Sequence, residues 1–422
     1  MSKKYFKEYR SYFLFLLQWF SIAIAIGLIM GGAGSIFLNS LQWCTDYREA
    51  HPIIIWTLPL AGFGVGLVYH YFGEDVVKGN NQILDEYHKP EKVIPLKMGV
   101  LVLLGTLATH LFGGSAGREG TAVQIGVSIS DQFSRLFKLN SIQRKILLLM
   151  GISAGFSAVF GTPLAGTIFA LEVILIGKIT SEALLPCLTT AIIANYSCGL
   201  LGGHHSLYPT ITAPDMNLKY LLYTIIAAIL FGLAARLFSF GSHFFSSMFK
   251  KYLSYAPFRP MVGGTIIALI VYTIGTTKYI GLGIPTIMNS FNEQMPPYDF
   301  LIKLVLTTFT LGAGFKGGEV TPLFYIGATL GSTLVWFIPL PIDLLAGVGF
   351  VAVFAGATNT PIACTLMGIE LFGIASGQYI AIGCFIAYLF SGHTGIYSSQ
   401  QIGLAKHAIF SHYKQQFLRD IN

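Results

Sequence analysis

Gly117-Arg118-Glu119-Gly120-Thr121 places two charged residues between glycines inside an otherwise apolar stretch. Offset by 201 positions stands a distorted twin, Gly318-Glu319-Val320-Thr321-Pro322. An ionisable group held inside a bilayer is costly, so its presence there marks a functional site. Flanking glycines let the backbone leave a helix and bring N–H groups close to a ligand. Two such breaks in corresponding halves of a chain point to an ion site near the midplane of the membrane.

The surroundings are membrane sequence. Of 422 residues, 54% are hydrophobic and 11% charged, against roughly 25% charged in soluble domains. The uncharged runs Ser11–Thr45, Ala50–Gly73, Ile146–Leu171, Ala183–Pro214, Val320–Ile342, Leu344–Ile369 and Leu371–Ala405 each exceed the roughly 20 residues that span a bilayer. Shorter runs, Leu304–Phe315 and Tyr279–Asn292, read as half-helices or re-entrant segments. The fold class is therefore an all-α polytopic membrane protein; a β-barrel would need short segments of strict alternation.

The net charge of +7 belongs to the membrane and not to a nucleic acid. Lys3, Lys4, Lys7 and Arg10 precede the first apolar run, and Lys406, Lys414 and Arg419 follow the last. The positive-inside rule then predicts that both termini are cytoplasmic. The first run is too long for a removable signal peptide. Cys44, Cys187, Cys198, Cys364 and Cys384 form no CxxC pair, and neither a disulfide framework, a metal site nor a cofactor is implied.

Three landmarks repeat in order. Gly117…Gly126 returns as Gly318…Gly327, Pro163…Glu172 as Pro361…Glu370 (offset 198), and Gly79-Asn80-Asn81-Gln82-Ile83 as Gly281-Leu282-Gly283-Ile284-Pro285 (offset 202). The chain thus divides into a first repeat, 1–206, and a second, 207–422, joined at the helix-breaking stretch Leu207–Asn217, with no C-terminal soluble domain expected. Offsets alone leave open whether the halves are inverted or parallel.

The chemistry concentrates at the breaks. Glu119 heads a helix, and a helix start presents unpaired N–H groups and a positive dipole end that attract anions. Gly120 leaves those donors accessible and Thr121 can add a hydroxyl. The ionised Glu119 carboxylate would itself fit such a seat; protonated, it would leave room for a free anion. Arg118 either faces a water vestibule or tethers a carbonyl. Glu319 beside an anion path is odd unless it is protonated or handles protons itself; Lys316 either offsets its charge or sits at the surface. Asn80 offers an uncharged amide donor, or an ordinary helix cap. Tyr397 places a phenol after the last span. Glu172 and Glu370 read as architecture, making caps or salt links. An enzyme is disfavoured, because Ser115 has no partner His at suggestive spacing and His204-His205 lies in a loop without metal-ligand spacing.

Together these residues resemble the CLC family of chloride channels and anion/proton antiporters. In that family three half-helix starts read GSGIP, GREGP and GxFxP, and a late tyrosine completes the anion site. The resemblance runs from Gly79 to Tyr397 and implies two inverted repeats, about eighteen membrane helices with several half-helices, and a homodimer. It makes Glu119 the gating glutamate and Tyr397 the anion-coordinating tyrosine. The departures are informative. Asn80 replaces the serine of the first pattern, Thr121 the proline of the second, and Val320 the phenylalanine of the third; the inner proton-transfer glutamate of typical chloride/proton exchangers falls at Val173. This set is similar to the fluoride-transporting bacterial branch. It implies a fluoride/proton antiporter of the inner membrane, with Asn80, Glu119, Glu319, Thr321 and Tyr397 as the functional set and Val320, Gly120 and Thr121 lining the anion path. A chloride/proton exchanger and a passive anion channel share the same anion-site features.

Overall fold

A computed structural model describes residues 3–421, with the side chains of residues 1–12 and 14–16 outside the description. The basic cluster Lys3, Lys4, Lys7 and Arg10 lies outside the described side chains.

Helix α1 (Lys3–Ala50) opens the chain. Ile22, Ile26, Met30 and Phe37 are buried while Ile24, Leu28 and Ile36 are exposed, so one stripe packs inward and an equally apolar one faces outward. A helix apolar on both faces belongs in lipid. There follow α2 (Leu58–Phe72), α3 (Asn80–His88), α4 (Leu96–Phe112), α5 (Glu119–Ser130), α6 (Gln132–Leu136), α7 (Ser141–Phe160), α8 (Pro163–Glu172) and α9 (Leu184–Leu200). The second series is α10 (Leu218–Tyr252), α11 (Phe258–Ile274), α12 (Ile284–Asn289), α13 (Asp299–Gly312), α14 (Val320–Leu334), α15 (Ile342–Thr358), α16 (Pro361–Phe372) and α17 (Gly377–Phe390). Apart from the short α6, which has no counterpart in the second series, long helix, short helix and break recur in the same order. Strand β1 (Leu175–Ile176) pairs in parallel with β2 (Gln401–Ile402), which folds the C-terminal segment back onto the helices.

Among the described residues, five stretches are long and apolar enough to cross a membrane: Leu17–Ala50, Pro52–Phe72, Ser141–Phe160, Ser181–Leu200 and Leu218–Tyr252. Several uncharged runs expected to span unbroken are divided instead. Ile146–Leu171 breaks at Gly161, which caps α7 with a left-handed φ of 84°, and Pro163 starts α8. Leu344–Ile369 breaks likewise at Asn359 (φ 61°) before Pro361. Proline lacks an N–H and suits the first helical turn, where that donor has no partner. Val320–Ile342 yields a helix of 15 residues and Leu371–Ala405 one of 14. In the other direction, α13 starts before the expected Leu304, because its charges are buried and partnered. Asp299 accepts from Lys278 and from the Tyr279 hydroxyl at 2.6 Å, while Lys303 donates to the carbonyls of Tyr279 (3.1 Å) and Gly281 (2.7 Å).

The two series interlock. Glu172, ending α8, accepts from the backbone N–H groups of Ile362 (3.1 Å) and Ala363 (2.8 Å) at the start of α16. Glu370, on α16, accepts from Leu164 (3.0 Å) and Ala165 (2.8 Å) at the start of α8. Each caps the other's helix, so α8 and α16 lie antiparallel about a two-fold relation. Glycines set the spacing around the site: a Cβ on Gly126 would lie 2.3 Å from the Gly151 oxygen, and one on Gly327 2.0 Å from that of Gly349. This brings α5 against α7 and α14 against α15 at backbone contact. The result is two inverted repeats whose half-helices α5 and α14 start from one central point.

Candidate functional site: two helix breaks face to face

Gly117 and Gly318 form an isolated antiparallel bridge, with Gly117 N donating to Gly318 O (2.6 Å) and Gly318 N to Gly117 O (2.8 Å). No side chain fits at either position. A Cβ on Gly318 would stand 2.7 Å from the amide nitrogen of Gly120 and 3.2 Å from that of Glu119; one on Gly117 would stand 2.8 Å from Pro322 Cδ and 3.1 Å from Thr321 N. The N-termini of α5 and α14 therefore converge, and with them two positive dipole ends and their free N–H groups.

Glu119 is fully buried, and its carboxylate crosses to the other repeat. Thr321 Oγ1 donates to its Oε1 (2.6 Å) and Oε2 (2.8 Å), and Thr321 N to Oε2 (3.1 Å). Arg118 N adds a bond to Oε2 (3.2 Å), and Arg118 Nε lies 3.5 Å from Oε1. The carboxylate thus occupies the anion seat at the start of α14, held by charge-assisted hydrogen bonds, which are roughly twice as strong as neutral ones. Glu319 is the N-cap residue of that same helix. Its Oε2 is shielded from solvent and has no hydrogen-bond partner, as does Asn80 Oδ1. Both residues turn to the space in front of Gly120, where a Cβ would meet Asn80 Nδ2 at 3.0 Å and Glu319 Oε2 at 3.4 Å. Asn80 follows Gly79, whose φ of 56° turns the chain into α3. Its side chain does not cap that helix, so its amide remains available.

Tyr397 is buried, and with Asn80 it borders a cavity of about 20 Å³ whose wall is almost entirely apolar, from Ile83, Leu84, Val123 and Val173 among others. That volume holds one water-sized particle. The loop bearing Tyr397 is fixed from several sides. Ile396 N donates to Ala357 O (3.0 Å) and Ser399 N to Asn81 Oδ1 (3.0 Å). The buried Gln400 amide donates to Val173 O (2.8 Å) and Thr358 O (2.7 Å). Val173, where the resemblance places the inner proton glutamate of chloride/proton exchangers, thus borders the tyrosine chamber with an apolar side chain.

Some expectations fall elsewhere. The Thr121 hydroxyl is bonded to Thr106 Oγ1 (2.7 Å) on α4, a contact that braces α5 against α4. Val320 is buried in the first turn of α14. Arg118 lines a cavity of about 190 Å³ with Asn39, Gln42, His204 and His205, which is the vestibule alternative. Lys316 takes neither expected role: its ammonium sits 3.9 Å from the Tyr69 ring centroid in a cation–π contact. Sequence reasoning missed Thr106 and His110; the His110 ring lies 3.4 Å from Gly117 O. The signal was present as two polar residues four positions, one helical turn, apart on the mainly apolar α4.

The chain matches the model of the voltage gated chloride channel family over residues 61–392. It is 48% identical to a Pseudomonas syringae pv. tomato protein named chloride/fluoride channel protein, over 93% of this chain and 88% of that one. It is 28% identical to a Vibrio cholerae H(+)/Cl(−) exchange transporter, ClcA, over 83% and 81% of the two chains. Among solved structures, a CLC-type fluoride/proton antiporter superposes with a TM-score of 0.89 at 34% identity, over 92% of this chain and 98% of the other. A slow cyanobacterial Cl−/H+ antiporter, at 22% identity and a TM-score of 0.75, shares the fold. With its inverted repeats and its facing half-helix starts, the chain belongs to the voltage gated chloride channel family, the CLC proteins.

Proposed function

We propose that this protein is a secondary active fluoride/proton antiporter that exports cytoplasmic fluoride, driven by the inward proton gradient. The observation that carries the reading is the Glu119 carboxylate bound by Thr321 at the start of α14. A carboxylate in an anion's seat competes with the anion. Taking up a proton removes its charge and weakens its hold, and fluoride then takes over the Thr321 hydroxyl and amide. Losing the proton returns Glu119 to the seat and expels the ion. One group thereby ties anion movement to proton movement in opposite directions.

Fluoride is small, strongly hydrated and a strong hydrogen-bond acceptor, so stripping its water calls for several short donors. Asn80 and Tyr397, which border the small, largely apolar chamber, are assigned as the amide and phenol donors on the family resemblance. Glu319, with its unpartnered oxygen, donates to fluoride when protonated and gives a second group that carries a proton beside the ion. Gly120 keeps the space between them open, and Val320 is assigned to the anion path on the family resemblance alone. The two repeats, 1–206 and 207–422, each contribute one half of this site. Lys406, Lys414 and Arg419 support cytoplasmic termini in the inner membrane of a bacterium, and the family resemblance supports a homodimer.

The test is a paired flux measurement on purified protein in liposomes. A proton gradient is expected to drive fluoride uphill, with proton uptake accompanying each release. Fluoride movement that ignores pH makes the protein a channel, and preferred chloride movement makes it a chloride/proton exchanger.

A further inference from the structure

Helix α3, which starts at Asn80, has nine residues. A helix that short is marginal alone and takes its position from tertiary contacts. One face packs inward through Ile83, Leu84 and Tyr87. Beyond Asn80, the helix is gripped by a segment near the end of the chain. Arg419 Nη1 donates to Asp85 Oδ1 (2.9 Å). The Phe417 ring meets the His88 ring edge-on, with 5.3 Å between centroids, and the Arg419 guanidinium lies over that same Phe417 ring at 4.7 Å.

The same residues hold the loop that carries Tyr397. Arg419 N donates to Ser398 O and Leu418 N to Gln400 O, both at 3.0 Å. Arg419 Nη1 also donates to Ser399 Oγ (3.3 Å). Leu418 is buried, and its Cδ1 lies 3.1 Å from where a Cβ on Gly395 would stand. One short segment therefore bonds to the carrier of Asn80 and to the carrier of Tyr397, and Arg419 bonds to both. We infer that residues 417–420 form a clasp that fixes the Asn80 half-helix against the Tyr397 loop, and that Arg419 is a positioning residue for the anion site. Its effect is preorganisation. Donors already held in place need no ordering when the anion arrives, whereas donors on loosened carriers lose that freedom at each binding event. The Arg419 side chain is 44% exposed and that of Asp85 25%, and a pair this open to water changes an equilibrium constant by about two- to fivefold.

The inference rests on the fluoride reading for the identity of its ion. It is tested with the full chain in liposomes, measuring initial fluoride efflux against internal fluoride. Arg419→Gln is expected to raise the half-saturating fluoride concentration about two- to fivefold, with the maximal rate and the fluoride-to-proton ratio unchanged. Arg419→Lys, which keeps a cation facing Asp85, should recover most of the loss. Asp85→Asn opens the clasp from the other side and serves if Arg419→Gln fails to fold. The double variant should do no more than the larger single one, because both break the same link. Effects that multiply in the double variant overturn the inference, as does wild-type half-saturation in either single one. So does a loss confined to maximal rate and melting temperature, which would make Arg419 a stabilising contact only. If the wild type carries chloride instead of fluoride, the functional reading fails, while the same measurements with chloride still decide the clasp.

Discussion

Two pairs of glutamates occupy the repeats, and they are treated in opposite ways. Glu172 and Glu370 are symmetric: each ends a half-helix, and each accepts two backbone N–H groups from the start of the other's helix, at 2.8–3.1 Å. Every oxygen accepts a backbone N–H, so both residues are committed to the scaffold. Glu119 and Glu319 are asymmetric. In the repeat alignment that pairs Gly117 with Gly318, at an offset of 201, Glu319 corresponds to Arg118 and Val320 to Glu119. One carboxylate crosses over and takes Thr321's donors, while the other keeps an oxygen with no partner. Symmetry here serves architecture, because a cap works equally well in both directions. Vectorial transport needs the symmetry broken, and it is broken at the point where the two helix starts meet.

The hardest blow to this contrast falls on Glu119. Glu119→Gln removes the charge that alternates and keeps the shape. Proton movement accompanying fluoride is expected to vanish from a pH electrode trace. An unchanged fluoride-to-proton ratio removes Glu119 from the coupling. Glu319→Gln comes next, since an amide cannot share a proton with fluoride. A drop of about tenfold in proton-coupled flux is expected, or about 1.4 kcal/mol of barrier. Wild-type flux in that variant would make the unpartnered oxygen incidental.

Thr321→Val tests the seat itself. The hydroxyl's bonds to the carboxylate are charge-assisted, and such a bond is worth about 1.5–3 kcal/mol. Losing them loosens the seated glutamate and is expected to produce a fluoride leak without a proton gradient, which Thr321→Ser should largely repair. A tight Thr321→Val protein would show that the α14 amide alone holds the carboxylate.

Much of this was readable from the chain, for identifiable reasons. The repeat was legible because glycines, prolines and charges mark breaks, and their offsets near 200 survive although the intervening apolar residues do not resemble one another. Helix ends within uncharged runs were not, because Gly161 and Asn359 interrupt a helix without interrupting hydropathy. The scan for uncharged runs also passed over α10, since Arg236 divides it. At the site, Glu119 could be placed from its glycine neighbours and its twin. Its partner could not, because a carboxylate crossing to Thr321 is a contact between residues 202 apart. Thr121 misled for the converse reason. A hydroxyl at a helix start points to an anion in sequence, and only packing against α4 reveals that Thr106 is its neighbour. Tyr397 carried no signal of its own and rested on the family resemblance.

The smallest functional effect is expected where the symmetry is intact. Glu172→Gln and Glu370→Gln each keep one acceptor oxygen for a facing helix start while removing the charge that favours its dipole. Each is expected to cost about 0.5–2 kcal/mol of stability, read as a lower melting temperature in detergent. The double variant should lose about the sum, because the two caps share no donor. The fluoride-to-proton ratio should stay at the wild-type value in all three proteins. A changed ratio would mean that the interlocked half-helices move during transport, and the division between scaffold glutamates and coupling glutamates would then have to be redrawn.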